Sequence, residues 1–375
     1  MAGLYFHIPF CLSRCYYCDF YSCTSLARKP MLLQTLEQEM ILNRDFFGAQ
    51  PLRTLYFGGG TPSLCTPEEI GRLIRRAASL WDTSQVEEVT LEANPDDLTE
   101  PYLAALRAEG VNRLSLGVQS FRDEDLRWMH RRHDAASARK AVHMARAAGF
   151  DNLTLDLIYG LPSMTLAQWD ANLQEALDLG IEHLSAYHLT LEPGTVFGRQ
   201  AARGQLRPAD ERAGREQFEW LHRRMTEAGF EHYEISNFAH PGRRAVHNSS
   251  YWFGEPYLGV GPSAHSYDGK RLRRWNCADL RRYLTEMPHQ PPYETETLSD
   301  TDLYNEYLMT RLRTDRGVDL QELSATFGPE RAQYFLERAD KFLAGGLMIR
   351  HQRHYRLPAE AFFVSDGIIS DLFSD

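Results

Sequence analysis

Three thiols stand within eight residues near the start of the chain, in Cys11-Leu-Ser-Arg-Cys15-Tyr-Tyr-Cys18. Thiolates bind soft metal centres, and three of them can hold three irons of a cubane [4Fe-4S] cluster while the fourth iron stays open to another ligand. After Cys18 only Asp19 and Cys23 offer a further donor at short spacing. Structural zinc is the rival, but such sites normally close with four ligands in two short clips, and no second clip follows here. The other cysteines, Cys23, Cys65 and Cys277, are dispersed. Incidental core thiols are the bland reading, which the tight spacing disfavours.

Further polar motifs follow at intervals. Gly58-Gly-Gly-Thr-Pro62 lets the backbone approach a ligand and offers N–H groups to an anion, although a tight turn uses the same residues. Glu92-Ala-Asn-Pro95 and Gly117-Val-Gln-Ser120 supply a carboxylate and an amide suited to the hydroxyls and polar edges of a nucleoside. Taken singly, each is more often a capping or loop residue. Asp156, between Leu155 and Leu157, needs a partner if buried. Tyr187 and Glu192 face a substrate by position alone. His247-Asn-Ser-Ser-Tyr-Trp252 joins an imidazole able to ligate heme iron to two aromatics, Tyr251 and Trp252, able to lie on a flat macrocycle. The commoner use of such a histidine is structural. His265, in Gly259-Val-Gly-Pro-Ser-Ala-His-Ser266, is a second candidate ligand.

These motifs fall on an alternation of short β-branched or aromatic runs with longer helical patterns, the mark of βαβ units around a parallel sheet. The expected strands are Leu4–Ile8, Thr54–Phe57, Glu88–Glu92, Arg113–Val118, Asn152–Ile158 and His183–Thr190. Six of them with intervening helices give an α/β fold, a partial (β/α)6 TIM-like barrel. The motifs then lie just beyond the carboxyl ends of the strands, where such barrels carry their sites. Residues 208–229 read as an amphipathic helix. The stretch 285–298, with Pro288, Pro291 and Pro292, reads as a linker. Beyond it, helices over Asp302–Arg313, Gln321–Phe327 and Ala332–Ala344 and a hairpin over Leu347–Leu357 predict a small winged-helix-like α+β domain. The organisation expected is thus a barrel and its extension over 1–284, a linker over 285–298 and a cap over 299–375.

A chain of 375 residues with 43% hydrophobic content can bury a sizeable core. Its net charge of −10, with arginines scattered among acids, argues against a nucleic-acid partner. The acidic end (Asp366, Asp371, Asp375) does the same for the winged-helix-like tail. No run of apolar residues is long enough to span a membrane and no charged-then-apolar leader opens the chain, so a cytoplasmic protein is expected. Clustered and dispersed thiols fit a reducing compartment.

The C-x3-C-x2-C spacing, with Tyr17 before the last thiol, resembles the radical S-adenosylmethionine (SAM) enzymes. His7-Ile-Pro-Phe-Cys11 and Cys18-Asp-Phe-Tyr-Ser22 resemble the branch that holds oxygen-independent coproporphyrinogen III oxidases and the HemW heme chaperones, and the likeness runs along most of the chain. It implies a cluster on Cys11, Cys15 and Cys18, with SAM chelating the open iron. It implies a SAM site of Tyr5, Gly59, Gly60, Thr61, Glu92, Gln119, Arg131 and Asp156. It also implies a heme site of His247, Tyr251 and Trp252. His130 stands where a glycine is usual, and so does Ser263. The oxidases carry a further cysteine where this chain has Phe20, and an N-terminal extension where Cys11 has ten residues before it. The expected function is therefore heme chaperoning to recipient hemoproteins, the respiratory chain foremost, without coproporphyrinogen decarboxylation. SAM cleavage, peripheral membrane association and a dimer stay open. The oxidase is the second reading, and a zinc-bound regulator with a DNA-binding tail the third.

Overall fold

Six parallel strands in sequence order form the centre: β1 (Ala2–Ile8), β2 (Leu52–Gly59), β3 (Glu88–Ala93), β4 (Arg113–Gln119), β5 (Leu153–Tyr159) and β6 (His183–His188). The computed structural model describes all residues except Pro288, Gln290 and Asp375, so the expectations that named Pro288 and Asp375 lie in part outside the described residues. Helices such as Lys29–Leu42, Pro67–Leu80 and Leu166–Asp178 return the chain between strands, as a parallel sheet requires. The expected strands all appear; the sixth stops at His188 rather than Thr190.

The strands carry a period of two with an uncommon sense. Phe6 and Phe57 stack at 4.4 Å within the apolar core, and Leu55, Leu91, Leu114 and Leu155 are buried with them. The other parity is polar: Thr54 and Tyr56 on β2, Glu88, Thr90 and Glu92 on β3, Arg113 and Ser115 on β4, Thr154 and Asp156 on β5, His183 and Ser185 on β6. The register sets Thr54 beside Glu88, Thr90 beside Arg113, Glu92 beside Ser115 and Asp156 beside Ser185. The strands thus face the helices with their hydrocarbon and line an interior with hydrogen-bonding groups.

The sheet continues at both edges. Beyond β6 lie β7 (Glu231–Glu234) and β8 (Asn237–Ala239), with β8 antiparallel to β6. On the other side β9 (Tyr257–Val260) pairs parallel to β1 and is followed by β10 (His265–Tyr267), β11 (Leu272–Asn276) and β12 (Tyr293–Thr297). The strand order is β12-β11-β10-β9-β1-β2-β3-β4-β5-β6-β8-β7, an open rather than closed barrel. The stretch 285–298, expected as a linker, carries β12, which pairs with β11 over five residues. Thereafter helix Asp300–Leu312 leads into β13 (Val318–Asp319), helices Leu320–Phe327 and Pro329–Ala344 follow, and β14 (Ile349–His351) and β15 (His354–Arg356) complete a three-stranded sheet with β13.

Candidate functional site

At the carboxyl ends of β1 to β6 a cavity of about 400 Å³ opens. The chain leaving β1 loops through Cys11, Cys15 and Cys18 and is tied shut by Cys23, whose N–H donates to Pro9 O at 2.7 Å and whose carbonyl accepts from Cys11 N at 3.0 Å. Beneath the loop His7 holds the Tyr21 carbonyl at 3.0 Å through Nε2, while Nδ1 meets the Tyr5 hydroxyl at 3.1 Å. All three thiols line the cavity. Among the described residues no three His, Cys, Asp or Glu side chains converge on a single-ion site. A cubane does not ask for that, because each thiolate takes a different iron.

Each thiol of the loop meets the rest of the site differently. Thr61 Oγ1 lies 3.4 Å from Cys11 Sγ, and Arg131 Nη1 lies 3.3 Å from Cys15 Sγ. Burial pushes the Cys11 thiol up, against the Thr61 hydrogen bond, and pushes Cys18 up to about 11. Metal coordination is the ordinary means of holding such thiols as thiolates, and the Arg131 cation favours the same state. Its Nη2 is fixed by Asn94 Oδ1 at 2.6 Å and Gly117 O at 2.5 Å, leaving Nε buried without a partner. These features fit an anionic thiolate-bound cluster.

Arg131 is aimed by the end of the helix Asp123–Trp128. His130 takes φ +61°, Arg131 N donates to Leu126 O at 2.8 Å, and His130 N to Arg127 O at 3.1 Å. This left-handed residue with a six-to-one bond is the helix stop that normally uses glycine. His130 compensates by stacking on Tyr16 at 4.5 Å and bonding Arg14 O at 2.9 Å. Ser263 is likewise left-handed, at φ +67°. Both departures from glycine therefore keep the backbone that glycine would adopt.

Glu92 and Asp156 stand at the cavity floor. Tyr56 donates to Glu92 at 2.8 Å and Gly59 N at 3.2 Å, while Ser115 reaches both oxygens of Asp156 at 3.4 Å. Burial, then the charge of Asp156, lifts Glu92 to about 7, and burial lifts Asp156 to about 6. Two carboxylates so placed are poised for a cationic or hydroxyl-bearing ligand.

Of the residues expected around SAM, Gly59, Gly60, Thr61, Glu92, Gln119, Arg131 and Asp156 line this cavity, as do Tyr187 and Glu192. Tyr5 is set below it, against His7 and Tyr56. Gly60 serves the loop more directly than any ligand: a Cβ there would lie 2.7 Å from Phe10 O and 2.8 Å from Ile8 O, and its N–H donates to Ile8 O. Asn94, Ser115 and Tyr56, unassigned in the sequence reading, complete the site.

The segment expected to hold heme lies at the opposite, amino end of the strands. The helix Val246–Trp252 lacks a side-chain cap, and the Glu88 carboxylate takes its free N–H groups instead, at 2.7 Å from Val246 and 3.0 Å from His247. His247 is 1% exposed. Its Nδ1 meets Thr54 Oγ1 at 2.7 Å and its Nε2 the Tyr251 hydroxyl at 2.8 Å, with Tyr56 stacked at 4.9 Å. Burial and the Arg113 charge push its pKa down to about 3. In this conformation neither ring nitrogen is free for iron. Tyr251 and Trp252, by contrast, line a second cavity of about 380 Å³. His265, the alternative ligand, is exposed on β10 and stacks on Trp275 at 5.9 Å.

Residues 5–176 match the family model of the Radical SAM superfamily, and residues 298–364 that of the HemN C-terminal domain. The heme chaperone HemW of Lactococcus lactis is 32% identical over 374 residues, spanning 99% of this chain and 97% of the relative. The heme chaperone HemW of Mycobacterium tuberculosis is 34% identical over 376 residues, spanning 99% and 94%. The solved structure of coproporphyrinogen III oxidase from Escherichia coli, described as a radical SAM enzyme, superposes with a TM-score of 0.85 at 24% identity, covering 100% of this chain and 90% of that one. At that identity the likeness speaks for the fold.

Proposed function

The chain belongs to the HemW family of the radical SAM superfamily, and on that premise we propose that it is a heme chaperone that carries a SAM-coordinated [4Fe-4S] cluster and passes heme to hemoproteins in the cytoplasm, those of the respiratory chain foremost. The observation that carries the cofactor half is the single cavity where Cys11, Cys15 and Cys18 meet Gly59, Thr61, Glu92, Gln119, Arg131 and Asp156. In this reading the three thiols hold the cluster, Arg131 and Thr61 steady the sulfurs, Gly59 and Thr61 receive the methionine end of SAM, and Glu92, Gln119 and Asp156 receive its polar groups. When bound, the cluster supplies an open iron able to deliver an electron to SAM. The chain's own contribution is to bind, orient and shield.

For heme, Tyr251 and Trp252 offer the aromatic surface, and His247 stands behind them as the partner of the Tyr251 hydroxyl. Residues 1–284 form the cofactor-holding unit and 299–375 the appendage. Among the described residues no helix is long and apolar enough to cross a membrane.

Anaerobic reconstitution followed by parallel assays tests the proposal. The reconstituted protein is expected to bind SAM and heme and to leave coproporphyrinogen III unchanged. Turnover of coproporphyrinogen III over many cycles would establish the oxidase reading instead.

A further inference from the structure

The cavity at the amino end of the barrel is built between two parts of the chain. One wall is Tyr251–Gly254 with Tyr257 and Tyr267 of β9 and β10; the other is the helix Asp300–Leu312, through Leu303, Tyr307 and Met309, with Phe327 beyond it. Met309 is 36% exposed, high for an apolar side chain on the inner side of a two-domain cleft. The volume, about 380 Å³, is within the range of sites that enclose much of a small ligand.

Its charges are of one dominant sign. Lys270, Arg273 and Arg311 line it against the single carboxylate of Glu306. Glu306 is engaged by Arg273 at 2.8 Å, and Arg311 by Glu322 at 2.7 Å. Lys270 has no carboxylate partner among the described residues. Three lining side chains also keep a buried nitrogen without an acceptor: Trp252 Nε1, Arg273 Nε and Arg311 Nε. Buried donors are normally paired, so three around one cavity point to a ligand that carries acceptors. Aromatic walls with cations at the rim fit a flat apolar body bearing carboxylates.

Resting on the heme reading above, we infer that this inter-domain cavity is the seat of the tetrapyrrole: its ring lies between the Tyr251–Phe253 wall and Met309, and its propionates meet Lys270 and Arg273. The appendage then supplies half of the site, and a porphyrin without iron is bound by the same walls as heme.

The test uses the full-length, cluster-loaded protein and metal-free protoporphyrin IX, followed by quenching of tryptophan fluorescence, alongside a heme titration. Lys270 and Met309 are both exposed, so Lys270→Glu and Met309→Asp place an anion at each wall without disturbing the core. Each is expected to weaken protoporphyrin IX and heme at least about tenfold, equivalent to about 1.4 kcal/mol, with cluster iron and SAM affinity unchanged. In Trp252→Phe the quenching amplitude should fall. If the parent binds heme and both charge variants bind it equally well, the seat lies elsewhere and the heme reading stands without it. If the parent binds neither heme nor protoporphyrin IX, both are overturned.

Discussion

At the carboxyl ends of the strands Glu92, Asp156 and Arg131 face an open cavity; at the amino ends Glu88, Thr54 and His247 face one another. The residue types are alike and the strands are the same, yet one set is held out towards a ligand and the other closes the barrel. The difference is in the bonding. His247 has both ring nitrogens bonded and Glu88 caps a helix, whereas Glu92 and Asp156 bear carboxylates lifted to about 7 and about 6 by burial with few donors to offset it. Strain follows the same division. Of the four non-glycine residues with positive φ among the described residues, Gln119 ends strand β4, Ser263 follows β9 and His130 touches the cysteine loop, so three lie at the cluster end. Left-handed non-glycine residues persist where surroundings hold them, and they gather at functional sites.

The largest effect should come from the open end. Cys11→Ala, Cys15→Ala and Cys18→Ala should each strip the cluster, read as iron and sulfide per chain after anaerobic reconstitution. Cys23→Ala should retain it, because Cys23 ties the loop through its backbone and not its thiol. Stoichiometric zinc without sulfide in anaerobically purified parent would remove the basis of the comparison. Gly60→Leu should also lose cluster, since its side chain would meet Phe10 O and Ile8 O before any ligand.

Next in size is the closed end. His247→Ala removes a buried ring with two hydrogen bonds and a stacking partner, a loss of about 3 kcal/mol in a denaturant titration. If His247 only supports the Tyr251 wall, heme bound by the variant keeps the parent's Soret position. A shifted Soret band would show that His247 reaches the iron, and the closed cluster of Glu88, Thr54 and His247 would then be part of a site.

Glu92→Gln sharpens the contrast through pH. The ordinary value for a glutamate is 4.5 and the folded value is about 7. The folded protein therefore holds the proton more tightly, and stability from this group is present below 4.5 and lost as pH rises through about 7. The variant should thus be more stable than the parent above that window, on the order of 1 kcal/mol after allowance for water in the cavity. The gain should vanish in acid, and SAM affinity should fall at every pH. Thermal melts at about pH 5 and about pH 8 read it. Equal melting at both would mean that Glu92 is not strained.

Much of this was legible from residue order. Six strands, the thiol loop and the motifs at the strand ends follow from periodicity and spacing. The lumen was less so, although Glu88, Thr90 and Glu92, or Thr154 and Asp156, at alternate positions in otherwise apolar runs were a signal for it. The fate of His247 was not legible, because its partners Thr54 and Tyr56 come from β2, some 193 and 191 residues away. Edge strand β12 was hidden by the prolines just before it and by its own acids, since its pairing with β11 is set by neighbours rather than by its own residues.

The smallest effect compares two strained positions. A left-handed residue other than glycine costs about 1–2 kcal/mol, against up to about 1 kcal/mol of extra unfolded-state freedom when glycine replaces it. At Ser263, φ +67°, no ring stacking accompanies the residue, so Ser263→Gly should stabilise by a few tenths to about 1 kcal/mol. At His130, φ +61°, the same relief is set against the stack on Tyr16 and the bond to Arg14 O, both of which anchor the cysteine loop. His130→Gly should therefore come out neutral or destabilising and should loosen the cluster, seen as faster iron loss to a chelator. If both glycine variants stabilise alike and hold iron alike, the His130 ring contributes nothing to the loop, and its strain is merely tolerated.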